Sequence, residues 1–304
     1  MTRKTVRNTP RYLVVVRLIA VLGLLAGALL PLANPAQAAA LVPISGAGST
    51  WSQNALDQWI RNVNQYGIKV NYAGTGSSDG RNQFRNDTVD FGVSEIPYGL
   101  TDGGVFDTPP TRPYAYMPIV AGGTSFMYNL KIGGHRVTNL RLSGLNLAKI
   151  FTGNIKLWND PAIKADNPLL ALPARRIVPV VRSDGSGTTA QLTTYLSKKF
   201  PDLWNGYCSK AGRSSPCGVT SNFPLAPGLG FVAQSGSLGV AGYTAQDQSE
   251  GAITYVEYSY ALNSSFPVVK MLNTAGYYVE PTAPSVAVAL LAAKINTDSS
   301  SPRT

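Results

Sequence analysis

Charge is scarce in this 304-residue chain: Asp, Glu, Lys and Arg together make up 14% of it, against a typical ~25%. Ser, Thr, Asn, Gln and Gly must cover the surface instead, as suits a secreted protein. Histidine occurs once, as His135, and cysteine twice, as Cys208 and Cys217. No His-plus-carboxylate cluster has metal-ligand spacing, so no metal and no cofactor is expected. No run of Lys and Arg with interleaved aromatics occurs, which excludes a nucleic-acid partner. Beyond the N-terminal region no segment is apolar over the ~20 residues that a membrane span needs. With 30 Gly, 21 Pro and 9% aromatic residues, disorder and collagen-like structure are excluded as well. What remains is a globular chain long enough for one two-lobed domain or two small ones.

The formal charge of +10 is unevenly spread, because Arg3, Lys4, Arg7, Arg11 and Arg17 all precede the first apolar stretch. That stretch, Leu18 to Leu32, is shorter than a membrane span and is followed by Ala36-Gln37-Ala38. Residues 1–38 are therefore expected to be a secretory signal, cleaved near Ala38. Taking those five cations from the 26 Lys and Arg leaves 21 against 16 acids. No Cys lies beside the cleavage site to accept a lipid anchor, so release to the periplasm or the medium is expected. In an oxidising compartment Cys208 and Cys217 are expected to form a disulfide worth on the order of 2 to 3 kcal/mol. The rival, a two-Cys zinc site, would have to recruit carboxylates.

Short apolar alternations interleave with amphipathic stretches, the pattern of an α/β protein with partly parallel sheets. Ile68-Val70-Tyr72, Val89-Phe91-Val93 and the run Ile177 to Val181 read as strands. Leu56, Trp59, Ile60 and Val63 fall at helical spacing, as do Leu192, Tyr195 and Leu196. A third helix is expected over Leu145 to Phe151 and a fourth near Ser78, anchored by Phe84.

Three helix starts share one composition: Gly48-Ser49-Thr50, Gly74-Thr75-Gly76-Ser77-Ser78 and Gly185-Ser186-Gly187-Thr188. Glycine allows close backbone approach, and the first-turn N–H groups of a helix have no intrahelical acceptor. Hydroxyls add donors, and together these groups favour an anion. Taken singly, each is equally an ordinary N-cap with a tight turn. Neither a P-loop nor a dinucleotide fingerprint fits. Arg182 stands at the carboxyl end of the Ile177 to Val181 run, where open α/β sheets place ligands. Its guanidinium can grip an oxyanion, and Asp184 can hold the guanidinium; the bland alternative is a surface ion pair of little consequence.

On these residues the chain resembles the PstS-like family, the phosphate-binding subunits of bacterial ABC phosphate importers. The matching segments run from about Ile44 to Ile295. They include Gly46 to Trp51, Gly76 to Ser78, Val89 to Glu95, Arg182 to Thr189 and Gly251 to Tyr258, with Ile150 to Ile155 and Trp158 to Asp160 read as structural. The resemblance implies a type II periplasmic-binding-protein fold closing on one oxyanion in an interlobe cleft. It puts lobe 1 at residues 39–120 plus 255–304 and lobe 2 at residues 121–254. Its phosphate contacts map to Thr50, Trp51 through the backbone N–H, Ser77, Glu95, Arg182, Ser186, Gly187 and Thr188, with Asp184 supporting Arg182.

Two departures from the family accompany the match. Glu95 stands where the family has Asp; either carboxylate can accept the O–H that phosphate keeps near neutral pH and sulfate lacks, but Glu reaches further into the cleft. Where the family continues past Ile295, Asn296 leads into a polar stretch to Thr304, so a shortened C-terminal part and a disordered tail are expected. The implied function is an exported receptor, monomeric and without chemistry of its own, that passes inorganic phosphate to an ABC permease. The alternatives are a secreted phosphatase or other hydrolase on the same fold, and a released phosphate scavenger. The hydrolase lacks a supporting motif: Ser186 is not in a G-x-S-x-G elbow, and His135 belongs to a polar loop.

Overall fold

A computed structural model describes residues 41–294. The expected signal segment 1–38 and the polar tail from Asn296 lie outside the described residues.

The chain first builds a small parallel sheet by two strand–helix–strand crossings. Strand β1 (Ile44–Gly48) leads to helix α1 (Gln53–Asn64), β2 (Val70–Ala73), α2 (Ser77–Arg85) and β3 (Phe91–Val93). The strand order is β2-β1-β3, with both neighbours parallel to β1. Helix α2 lies almost backbone to backbone on β1, because a methyl group on Gly80 would come within 2.3 Å of the Gly48 Cα. Glycine at both positions brings the start of α2 down onto the end of β1.

A second sheet follows, made of β4 (Thr124–Tyr128), β5 (Val178–Arg182), β6 (Val232–Gln234) and β7 (Ala252–Glu257) in the order β6-β5-β7-β4. Three strands are parallel and β4 runs antiparallel to β7. Between these strands lie α3 (Gly144–Phe151), α4 (Gly187–Lys199), α5 (Pro201–Lys210) and α6 (Gly236–Thr244), and α7 (Tyr258–Asn263) follows β7.

Side chains alternate across a strand, so a sheet covered on both faces buries consecutive residues. Phe126, Tyr128, Val181, Ile253 and Tyr255 point into one apolar cluster, which includes Trp158, Trp204, Tyr207 and Phe223. Met127, Val180, Ala252 and Val256 point into a second, packed on Val240, Ala241 and Tyr260. This double burial is why β5 reads as an unbroken apolar run. Trp158, expected to be structural, is fully buried and donates its indole N–H to the Gly251 carbonyl at 3.1 Å. Cys208, on α5, is joined to Cys217 by a disulfide, so the pair is not a zinc site.

The first sheet is covered far less. Of the apolar stripe expected on α1 only Leu56 is buried, and Trp59 is 42% exposed. The helix forms where its spacing predicts, yet among the described residues little packs over that stripe. Strands β2 and β3 start two residues later than the alternations Ile68-Val70-Tyr72 and Val89-Phe91-Val93 suggest.

No helix among the described residues is long and apolar enough to cross a membrane.

Candidate functional site

The carboxyl ends of strands β1, β2, β5 and β6 lead into the first turns of α1, α2, α4 and α6. These four helix starts form one buried cluster. Ser52, Gly76 and Ser235 hold the N-cap positions of α1, α2 and α6, and none makes a side-chain capping hydrogen bond. By contrast, Ser143 caps α3 and Asp160 caps the helix Pro161–Asp166 through their side chains. At the start of α4, Ser186 accepts from the Thr189 N–H at 3.1 Å, which leaves its own hydroxyl proton to donate. Among the described residues the amides of Thr50, Ser77, Gly187 and Thr188 meet no acceptor, although all four residues except Gly187 rank with the buried polar side chains. Helix starts left uncapped in this way present N–H groups and the positive end of the peptide dipoles to an anion.

Arg182 supplies the one full positive charge of the cluster, on a side chain only 2% exposed. Its Nε donates to Asp184 Oδ1 at 2.7 Å and a second guanidinium nitrogen donates to Asp184 Oδ2. The bland reading, a surface pair, does not apply to groups this buried. Nη1 points the other way, 3.4 Å from Ser237 Oγ. Burial opposes ionisation of Asp184. The hydrogen bonds and charge of Arg182, with the Gly236 N–H at 2.8 Å, outweigh that effect and hold the carboxyl below the ordinary carboxylate range. Behind Arg182, the Tyr255 hydroxyl accepts the Arg182 backbone N–H at 3.1 Å and shares a 2.7 Å hydrogen bond with Thr189 Oγ1. Burial pushes that phenol up to about 12.

Thr50 sits across from Arg182. Its hydroxyl lies 2.8 Å from Ser237 Oγ and accepts the Ser237 N–H at 3.0 Å, and the Tyr260 hydroxyl donates to its carbonyl. Glu95, just past β3, has its two carboxylate oxygens bonded to the hydroxyls of Ser49 and Ser77. The same carboxylate lies against the first residue of α4, since a methyl group on Gly187 would fall 1.7 Å from Glu95 Oε2 and 2.7 Å from Ser77 Oγ. Two further hydrogen bonds join the two sides, from the Ser78 N–H to the Gly185 carbonyl at 3.0 Å and from Gln191 Nε2 to the Glu95 carbonyl at 3.2 Å.

Of the residues expected from sequence, the structure gathers Thr50, Ser77, Glu95, Arg182, Asp184, Ser186, Gly187 and Thr188. Trp51 stands apart in one respect: its N–H, the expected donor, is turned onto Ser49 Oγ at 3.1 Å, and its ring lies over Gly122. Sequence reasoning named Ser49 only as part of the Gly48-Ser49-Thr50 turn, and it missed Ser237 and Ser221. Ser237 carried a usable signal, because Ser235-Gly236-Ser237 repeats the composition of the other three helix starts. Ser221 links Ser78 Oγ at 2.9 Å to Asp102 Oδ1, which accepts its N–H at 2.7 Å, and no local pattern announces it.

Two open cavities lie elsewhere, one of about 220 Å³ beside Phe126, Met271 and Val286 and one of about 420 Å³ beside Leu157 and Pro161. Among the described residues no group of three or more His, Cys, Asp or Glu could hold a metal ion, and His135 lies exposed on a short strand, His135–Arg136.

Comparison with known proteins bears on the family and the fold. The family model of the PBP superfamily domain matches residues 33–302. The phosphate-binding protein PstS of Xylella fastidiosa is 38% identical over 252 residues, covering 82% of this chain and 62% of the relative. That of Haemophilus influenzae is 35% identical over 252 residues, covering 83% and 69%. The chain thus spans 62% of the length of the Xylella relative. Among solved structures, a phosphate-binding protein from Stenotrophomonas maltophilia aligns with a TM-score of 0.58 at 19% identity, covering 86% of this chain and 72% of that one. At that identity the likeness speaks for the fold alone, the two-lobed type II architecture expected from sequence. The chain belongs to the PBP superfamily and, within it, to the family of PstS phosphate-binding proteins.

Proposed function

We propose that this chain is an exported solute-binding protein that takes inorganic phosphate between two lobes and passes it to an ABC permease, without chemistry of its own. Lobe 1 comprises residues 39–120 plus 255–304 and lobe 2 residues 121–254, with residues 1–38 removed on export. The observation that carries this reading is the meeting of uncapped helix starts around one buried guanidinium. The amides of Thr50, Ser77, Gly187 and Thr188, the hydroxyls of Ser77, Ser186 and Thr188, and Arg182 Nη1 are the donors for a tetrahedral oxyanion. Asp184 holds the other edge of the guanidinium, which fixes its direction and cancels its charge. A fully ionised dianion would then face the carboxylate of Glu95 with little net positive charge to offset it. An oxyanion that brings its own proton offers that carboxylate a hydrogen bond instead, which favours phosphate over sulfate.

Isothermal titration calorimetry on protein freed of bound anion, near neutral pH, tests this. One-to-one binding of phosphate with no heat from sulfate is the expected result. Silence with both anions from a cooperatively folded sample overturns the reading.

A further inference from the structure

Glu95 does more in this geometry than wait for a ligand's proton. Its carboxylate accepts hydroxyls from Ser49, after β1, and from Ser77, at the start of α2. Its Oε2 also rests on Gly187, the first residue of α4 on the opposite side, so closely that a methyl group there would be 1.7 Å away. A carboxylate beside a helix start whose first N–H groups have no acceptor is itself a favourable anion. It holds the Ser77 hydroxyl that a tetrahedral oxyanion needs, and it fills the space in front of Gly187, whose N–H is another of the proposed donors. The reach depends on length, because an Asp at this position would end one methylene earlier.

We propose that Glu95 is a tethered competitor: its carboxylate bridges the two sides of the cleft in place of the anion and must leave Gly187 before phosphate can bind. This rests on the phosphate reading of the site. The bridge sets a threshold for loading, because phosphate has to displace an anion whose local concentration is fixed by the chain. Once displaced, the same carboxylate is left within reach of the phosphate O–H, so the competitor becomes the selective acceptor. The residue therefore determines both the affinity and the selectivity of the site, through reach in the first case and charge in the second.

The test combines calorimetry with inorganic phosphate and small-angle X-ray scattering in phosphate-free buffer on the wild-type chain and on Glu95→Asp, Glu95→Gln and Glu95→Ala. Glu95→Asp keeps the charge and loses the reach, and it is expected to bind phosphate at least tenfold more tightly than wild type. Glu95→Gln keeps the reach and loses the charge, and it is expected to gain affinity for sulfate. Without phosphate, the wild-type chain is expected to be as compact as with it, whereas Glu95→Ala expands and contracts only when phosphate is added. Equal or weaker phosphate binding by Glu95→Asp, together with a wild-type chain that contracts on phosphate as Glu95→Ala does, overturns the tether and leaves the phosphate reading intact. If no variant binds phosphate but Glu95→Ala is still expanded relative to wild type, the bridge stands and the phosphate reading fails.

Discussion

The hydroxyls of Thr50 and Ser237 lie 2.8 Å apart although 187 residues separate them in the chain. The pair ties the turn before α1 to the start of α6, and Arg182 Nη1 points at the same serine oxygen. Replacing Ser237 by Ala leaves Thr50 Oγ1 without its hydroxyl partner and Arg182 Nη1 without an acceptor. Phosphate affinity is expected to fall about tenfold, equivalent to ~1.4 kcal/mol, and calorimetry on Ser237→Ala measures it directly.

Gly187→Ala puts a methyl group where the Glu95 carboxylate now rests. The three atoms it would strike all lie at the ends of the Glu95 and Ser77 side chains, so the fold should accept the change while the anion position is lost. Phosphate binding is expected to weaken by at least a hundredfold, with a thermal midpoint within a few degrees of wild type. A variant that binds normally would place the anion elsewhere.

Arg182 and Asp184 form a buried pair, and removing one partner strands the other. Arg182→Ala is expected to destabilise the chain by ~3 kcal/mol, as read by urea unfolding. The pH dependence follows from the sign of the Asp184 shift. A carboxyl held below its ordinary value contributes stability that is present above about pH 4 and is lost as pH falls through the folded-state value. Urea midpoints of wild type are therefore expected to drop below pH 4 more steeply than those of Asp184→Asn.

Tyr255 gives the opposite limb. Its phenol is raised to about 12 from an ordinary value of 10.0, so the folded state holds a proton that the unfolded state gives up. The associated stability is complete below about pH 10 and falls as pH rises through 12. Phenolate absorbance during an alkaline titration is expected to show Tyr255 ionising only with unfolding. In Tyr255→Phe, which cannot ionise there, that part of the loss should disappear.

Three of the four helix starts were legible because each shows Gly with Ser or Thr at the end of an apolar run. The fourth shows the same composition in Ser235-Gly236-Ser237 but was passed over, since no alternation marks a strand before it. Arg182 was legible from its place at the end of β5, and Asp184 from its spacing to Arg182. That the Trp51 N–H is taken by Ser49 could not be read, because it depends on where the Ser49 hydroxyl turns once Glu95 lies beside it. Burial on α1 could not be read either. An apolar stripe shows which face a helix can bury, but whether anything covers that face is a matter of distant chain, and Trp59 stays 42% exposed.

The uneven cover of the two sheets carries a consequence for the order in which the molecule comes apart. Backbone amides of β5 and β7, sealed between two apolar clusters, should exchange with deuterium only through global unfolding, while those of β1, β2 and β3 should exchange through a cheaper local opening. Three of the eight proposed donors, the Thr50 and Ser77 amides and the Ser77 hydroxyl, stand on that weaker part. An anion bound there would slow exchange mainly in the first sheet, acting as its missing core.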